Sequence, residues 1–375
     1  MMIAPRGLGG HLWPRSELPL AHDVLRATLQ YAIAEARTWA LLRQVCTQFQ
    51  RCLDEPGVLD HVSLTVRVGG GRQGPSLETV AASRCAASVR RMTLILHRSL
   101  GSYEAHLAMG GRSLASFGSL QRLTLRDVTD SRLLALELTT TAETLLSLRV
   151  PDAGRVSIVG LDWLTQFKLL QDLQLGWLQC PLVGVTLEGE LNSTLPQFTA
   201  LQHLSLPECR VLDADTLQAL HAEGTLTSLQ SLDLTGCELV DDGCLLVVSR
   251  LAKLSKLCLD RCELITDVGL HARSVMAGLH ELKMNDLDLV TDAGLSALAL
   301  SLPALRVLEV HLCSRTTHGA SHDAQLGALG HDALRKRGLH VVCHHPRLRG
   351  GQLLEASCNT ALATEGRIYK MRKYI

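Results

Sequence analysis

The sequence predicts an α/β solenoid, a stack of short parallel strands each followed by a helical segment. Two observations predict it. The frame L-x-x-L-x-L recurs at Leu229 (LQSLDLTGC), Leu254 (LSKLCLDRC) and Leu279 (LHELKMNDL), at intervals of 25 residues. Within each copy the hydrophobic period changes, from two over the strand segment to helical spacing after an Asp at a fixed place in the frame.

The Leu254 copy shows how each part arises. Alternation places Leu257 and Leu259 on one side of a short strand and Lys256, Cys258 and Asp260 on the other. Thr266 or Asp267 is placed to cap a first helical turn by accepting a backbone N–H. The following VGLHARSVMAGL carries apolar residues at helical spacing. One strand plus one helix cannot bury its apolar side alone, whereas stacked units can.

The frame extends in both directions. Upstream copies start at Leu201, Leu170, Leu145 and Leu120, with weaker ones at Val89 and Leu59. Downstream, Leu305 begins a clear copy, and LHVVCHH from Leu339 reads as a last strand. Spacings between successive starts run from 25 to 34 residues.

These residues resemble leucine-rich repeats of the cysteine-containing subtype, L-x-x-L-x-L-x-x-C-x-x-[IV]-T-D-x-G-L, which Leu254–Leu270 matches at nearly every position. The resemblance covers residues 59–343, with a Gly-rich insertion at 69–76. It implies a leucine-rich-repeat solenoid, a horseshoe with parallel strands on the concave face and helices on the convex face.

Cys209, Cys237, Cys262 and Cys313 occupy one position of the frame, which other copies fill with Val128, Ala153, Leu178 or Leu287. A position that accepts Val, Ala and Leu is a buried apolar one, and free Cys packs as a small hydrophobe. A column of metal ligands would not tolerate Leu. His318 and His322 lie in a Gly/Ser-rich insertion that reads as a solvated loop, and the consecutive Cys343, His344 and His345 are poorly spaced for one tetrahedral ion. The expected metal and cofactor content is none.

Residues 69–74, GGGRQG, fit G-x-G-x-x-G between an apparent strand (VSLTVRV) and a helix-like run. The next apolar segment, MTLIL, ends in His97 rather than in an acid that would hold a ribose, and no Lys follows the glycines. The stretch therefore reads as a loop inserted in a repeat. No G-x-S-x-G, H-E-x-x-H or paired CxxC occurs, so the chain is expected to be a non-catalytic binding subunit.

Ahead of the repeats, residues 18–58 show two stripes at helical spacing, Val24, Leu25, Thr28, Leu29 and Ala32, then the apolar Ala40, Leu41, Val45, Phe49 and Leu53. Two or three packed helices of this length need the adjacent array or a partner for support. The segment resembles an F-box: Leu18-Pro19, a paired aliphatic at Val24-Leu25, Tyr31, then Val45-Cys46-x-x-Phe49 and Pro56. It departs from the F-box pattern in a longer spacing from Leu18-Pro19 to Val24, in Thr28, and in a longer stretch between Tyr31 and Val45. Residues 1–17 are expected to be a flexible N-terminus and 344–375 a C-terminal tail with a basic end, GRIYKMRKYI.

The F-box resemblance implies docking on a Skp-type adaptor, and through it on a cullin, by Leu18, Pro19, Val24, Leu25, Leu29, Tyr31, Leu41, Val45, Cys46 and Phe49. The repeats would then hold a protein substrate of an SCF-type ubiquitin ligase. The alternative is a stand-alone leucine-rich-repeat scaffold or inhibitor. The outward strand positions expected on the concave, substrate-binding face are Arg122, Thr124, Arg126 and Arg149 early, Asp172, Gln174, His203 and Ser205 in the middle, and Asp233, Lys256, Cys258, Asp260, Glu281, Lys283, Glu309 and His311 late. The early end is basic and the late end is mixed.

Composition narrows the partners. The 375 residues carry 37 basic and 37 acidic side chains, so no electrostatic footprint for nucleic acid or an anionic membrane is expected. Aromatics make up 3%, too few for base-stacking platforms. No apolar run approaches membrane-spanning length, and the N-terminus lacks the apolar core of a signal peptide. Twelve dispersed Cys do not form a secreted disulfide framework, so a reducing compartment, cytoplasm or nucleus, is expected.

Overall fold

The computed structural model describes residues 63–68, 77–83, 86–96, 113–127, 141–151, 162–176, 187–271, 276, 278–311 and 340–343. The F-box-like segment 18–58, the Gly-rich loop 69–76, Cys313, the His318/His322 pair, His344, His345 and the C-terminal tail lie outside them.

The described strands are β1 Ser63–Val68, β2 Arg91–Leu96, β3 Arg122–Arg126, β4 Ser147–Val150, β5 Asp172–Leu175, β6 His203–Ser205, β7 Ser231–Asp233, β8 Lys256–Cys258, β9 Glu281–Asn285, β10 Val307–His311 and β11 His340–Cys343. They form one sheet in strict chain order, β1 to β11, and every neighbouring pair is parallel. The chain is thus a leucine-rich-repeat solenoid of the α/β class. The return segments carry α1 Leu77–Ala81, α2 Leu187–Thr194, α3 Ala214–Ala222, α4 Asp242–Val248, α5 Asp267–His271 and α6 Asp292–Ser301, with short 3-10 turns elsewhere. No helix among the described residues is long and apolar enough to cross a membrane.

Parallel register stacks equivalent residues into columns. Leu64, Met92, Leu123, Leu148, Leu173, Leu204, Leu232, Leu257, Leu282 and Leu308 form one inward column, each at most 2% exposed. The pairing corrects two sequence frames. Leu64, not Val62, aligns with Met92, so the first copy starts two residues later than Leu59. In the last, Val341 pairs with Leu308, one residue earlier than a frame counted from Leu339 gives. A strand joining a parallel sheet takes the register that continues the buried column, and a one-residue slip would turn its apolar side outward.

A second column closes each unit before its strand. Phe117, Phe167 and Phe198 are fully buried, and each carbonyl accepts the N–H of the frame's first Leu, at 3.0 Å for Leu120, 3.2 Å for Leu170 and 3.4 Å for Leu201. Leu226, Leu251, Met276 and Leu302 make the same turn in later units. Ala86 makes the same turn before Val89, and Thr141 closes the unit before Leu145 through its carbonyl.

Four residues after the inward Leu of the strand the backbone bends sharply. The residue before the cysteine position is left-handed in every repeat that describes it: Asp127, Glu208, Arg261 and Asp286 at φ 57–58°, and Gly236 at φ 70°. This tight bend carries the cysteine inward. Cys209, Cys237, Cys262 and Leu287 are all fully buried, so the column is apolar as expected. The Cys237 thiol donates to the Leu206 carbonyl at 3.2 Å and the Cys262 thiol to the Leu234 carbonyl at 3.1 Å. Each thiol thereby ties its repeat to the strand end of the one before, which Leu cannot do.

The T-D-x-G-L segment is a clasp between repeats. Thr266 caps α5 by accepting the Val268 N–H at 3.1 Å, and Thr291 caps α6 through the Ala293 N–H at 3.2 Å. Asp267 does not cap its own helix. Its carboxylate reaches the next repeat and accepts both the backbone N–H of Thr291, at 2.7 Å, and the Thr291 hydroxyl. Asp242 holds Thr266 in the same way, at 2.9 and 2.6 Å. A Cβ on Gly269 would overlap the Asp242 carboxylate, and one on Gly294 would overlap that of Asp267. The glycine of the motif is therefore the seat of the preceding repeat's aspartate. Where that aspartate is replaced by Ala214, the following repeat places Cys244 at the glycine position.

Candidate protein-binding face

The outward residues of β1 to β10 form the face opposite the core, and equivalent positions stand in register as the apolar ones do. Across the late strands this face neutralises itself. Lys256 and Glu281, Cα partners on β8 and β9, form an ion pair at 2.9 Å. Lys283 and Glu309, partners on β9 and β10, form another at 2.9 Å. The hydrogen bond to Glu309 holds the Lys283 ammonium above its ordinary range, against the opposing effect of partial burial.

The middle strands are closed too. Arg149 on β4 donates from Nε and Nη2 to one oxygen of Asp172 on β5, at 3.1 and 2.7 Å, and Ser147 donates to the same oxygen at 2.9 Å. Asp233 accepts from Ser205 at 2.9 Å, from the Thr235 N–H at 3.1 Å and from the Thr235 hydroxyl at 2.6 Å. Thr235 Oγ1 in turn lies 3.2 Å from Cys258 Sγ.

The sequence-predicted face residues therefore divide into groups. Lys256 meets Glu281, Lys283 meets Glu309, and Asp233 is linked to Cys258 through Thr235. Asp260 sits past the end of β8, and its carboxylate accepts the backbone N–H of Asn285 at 2.8 Å, a structural bond to the next repeat. His311 ends β10, in register with Asn285. Arg122 and Arg126 lie exposed on β3. Sequence reasoning missed Arg91, which is exposed and is the Cα partner of Arg122. The signal was present in VRRMTL, where the residue before the inward Met92 faces out.

Among the described residues the thiols are held in the protonated form. Burial pushes the Cys209 thiol up to about 11 and those of Cys244, Cys258 and Cys262 up to about 12, and it raises Cys237 as well. At neutral pH these groups are protonated, as the S–H bonds to the Leu206 and Leu234 carbonyls require. The five cysteines Cys209, Cys237, Cys244, Cys258 and Cys262 are free thiols.

No family model and no curated protein matches the chain. Among solved structures, it is similar to the yeast Rad7 and Elc1 complex, with 15% identity over 86% of this chain and 87% of that one, at a TM-score of 0.44. It is also similar to internalin C2 from Listeria monocytogenes, with 17% identity over 63% of this chain and 90% of that one, at a TM-score of 0.37. The mouse RP105/MD-1 complex shares 16% identity over 69% of this chain and 56% of that chain, at a TM-score of 0.36.

Proposed function

We propose that this chain is a non-catalytic substrate-recognition subunit of an SCF-type cullin ubiquitin ligase, working in the cytoplasm or nucleus. The observation that carries protein binding is the uninterrupted parallel sheet from β1 to β11, which sets equivalent outward positions in register from strand to strand. Such a surface is built to read another protein by charge and shape along its length. The ligase part of the reading rests on the sequence of residues 18–58. There Leu18, Pro19, Val24, Leu25, Leu29, Tyr31, Leu41, Val45, Cys46 and Phe49 would dock a Skp-type adaptor and, through it, a cullin.

Tagged full-length protein, purified with a co-expressed Skp-type adaptor, tests this directly. Retention of the adaptor by the full chain, and its loss on deleting residues 1–58 with the repeats still folded, is the expected result. The longer spacing between Leu18-Pro19 and Val24 favours a second reading, a scaffold or inhibitor that uses the same face without ubiquitin chemistry. A chain that never retains the adaptor, yet keeps its protein partners after the deletion, establishes that reading instead.

A further inference from the structure

The strand face is neutralised unevenly. Its late and middle cations have carboxylates from the chain itself: Arg149 with Asp172, Lys256 with Glu281, Lys283 with Glu309. Among the described residues, the side chains of Arg91, Arg122 and Arg126 have no hydrogen bond or ion pair. Arg91 and Arg122 are Cα partners on adjacent parallel strands, about 4.8 Å apart across the sheet. Like charges placed directly opposite each other destabilise a sheet. Thr93 and Thr124, the next outward pair in register, supply no carboxylate either. The same geometry that pairs Lys256 with Glu281 is here spent on repulsion.

We propose that Arg91, Arg122 and Arg126 are the docking point for an extended Asp/Glu-rich segment of the protein partner, whose carboxylates complete the pairing that the late repeats make internally. The proposal rests on the reading of this face as a partner-binding surface. Arg122 and Arg126 lie four residues apart on the outward side of β3, about 13 Å along the strand. An extended partner chain covers that distance between two carboxylates four residues apart. Each guanidinium presents a planar fork that matches a carboxylate, and Arg149 already donates from two nitrogens to one oxygen of Asp172 within the same face.

Fluorescence anisotropy on the full-length protein tests the proposal. The probe is a labelled synthetic peptide with three glutamates, two of them four residues apart, compared with the same peptide carrying glutamines. The glutamate peptide binds and the glutamine peptide does not. Binding weakens steeply between about 50 and 200 mM salt, and Arg122→Glu or Arg91→Glu lowers affinity about tenfold or more. Lys253→Ala, an exposed cation outside the strand face, leaves it unchanged. Equal binding by wild type and by the Arg91→Glu/Arg122→Glu variant overturns the proposal. So does tighter capture, through these arginines, of a phosphoserine peptide, a single-stranded oligonucleotide or phosphatidylserine vesicles. Circular dichroism confirms that the variants fold. Adaptor retention, measured on the same preparations, separates the two readings: its absence in wild type removes the ligase assignment and leaves the peptide result standing.

Discussion

Glu208 and Arg261, which stand two repeats apart, form an ion pair at 2.6 Å that passes over Gly236 of the repeat between them. All three occupy the left-handed position before the buried cysteine. A Cβ on Gly236 would lie 2.9 Å from Glu208 Cγ and 3.2 Å from Arg261 Nη2. Gly236→Ala therefore combines backbone strain with crowding beneath the pair and should cost about 1–2 kcal/mol. Arg261 is half exposed, so Arg261→Ala should cost less than about 1 kcal/mol. Urea midpoints of the two variants check the ordering, and a larger loss for Arg261→Ala contradicts it.

The clasp between repeats makes a coupling prediction. Gly269→Ala pushes a methyl group into the Asp242 carboxylate and should destabilise by about 1–3 kcal/mol. In an Asp242→Ala background the same substitution should cost under about 1 kcal/mol, because the obstructing carboxylate is gone. The chain contains its own precedent in Ala214 followed by Cys244. A double-mutant cycle by chemical denaturation measures the coupling, and additive costs would refute the steric account.

The buried thiols set an alkaline limit. Burial raises Cys209 to about 11 and Cys262 to about 12, above the ordinary thiol value of 9.0. A proton held more tightly when folded contributes stability in full below pH 9, and that contribution is lost progressively as pH rises from 9 toward the folded values. Cys262→Val should keep the fold, as Leu287 does in the same column, and should shallow the decline above pH 9. Denaturation midpoints between pH 8 and 11 provide the comparison.

Asp213 sets a smaller acid limit. It caps α3 by accepting the Thr216 N–H at 2.8 Å, and that bond holds its carboxyl below 3.8. The contribution is present above pH 3.8 and is lost as pH falls through the folded value. Asp213→Ala should cost about 1 kcal/mol at neutral pH. Asp213→Asn should retain most of the cap while flattening the acid side of the stability curve, read from melts at pH 3 and pH 7.

The solenoid was legible because its signal is repetition. Every start from Val89 to Leu305 falls at the same place relative to a described strand, two residues before it. Alternation placed Leu257 and Leu259 inside, and the tolerance of Val and Leu identified the cysteine column as core. Register at the ends was not legible, since Leu59 and Leu339 each begin apolar runs that fit several frames, and only pairing with β2 and β10 selects one. On the face, sequence located the charges but not their partners. Nothing in the letters shows that Glu281 closes on Lys256 or that Asp260 is used by the Asn285 backbone. Those contacts depend on which residues become neighbours across repeats 25 positions apart.

The registered columns also make the sheet a ruler. Each strand advances about 4.8 Å, so the arginine column on β3 and the Lys283–Glu309 pair on β9 and β10 stand roughly 30 Å apart along the face. A linear segment touching both ends must run about nine or more residues fully extended across the strands, and one compact domain of about a hundred residues has a comparable breadth. The number of repeats between the two ends therefore sets the span that the proposed partner must cover.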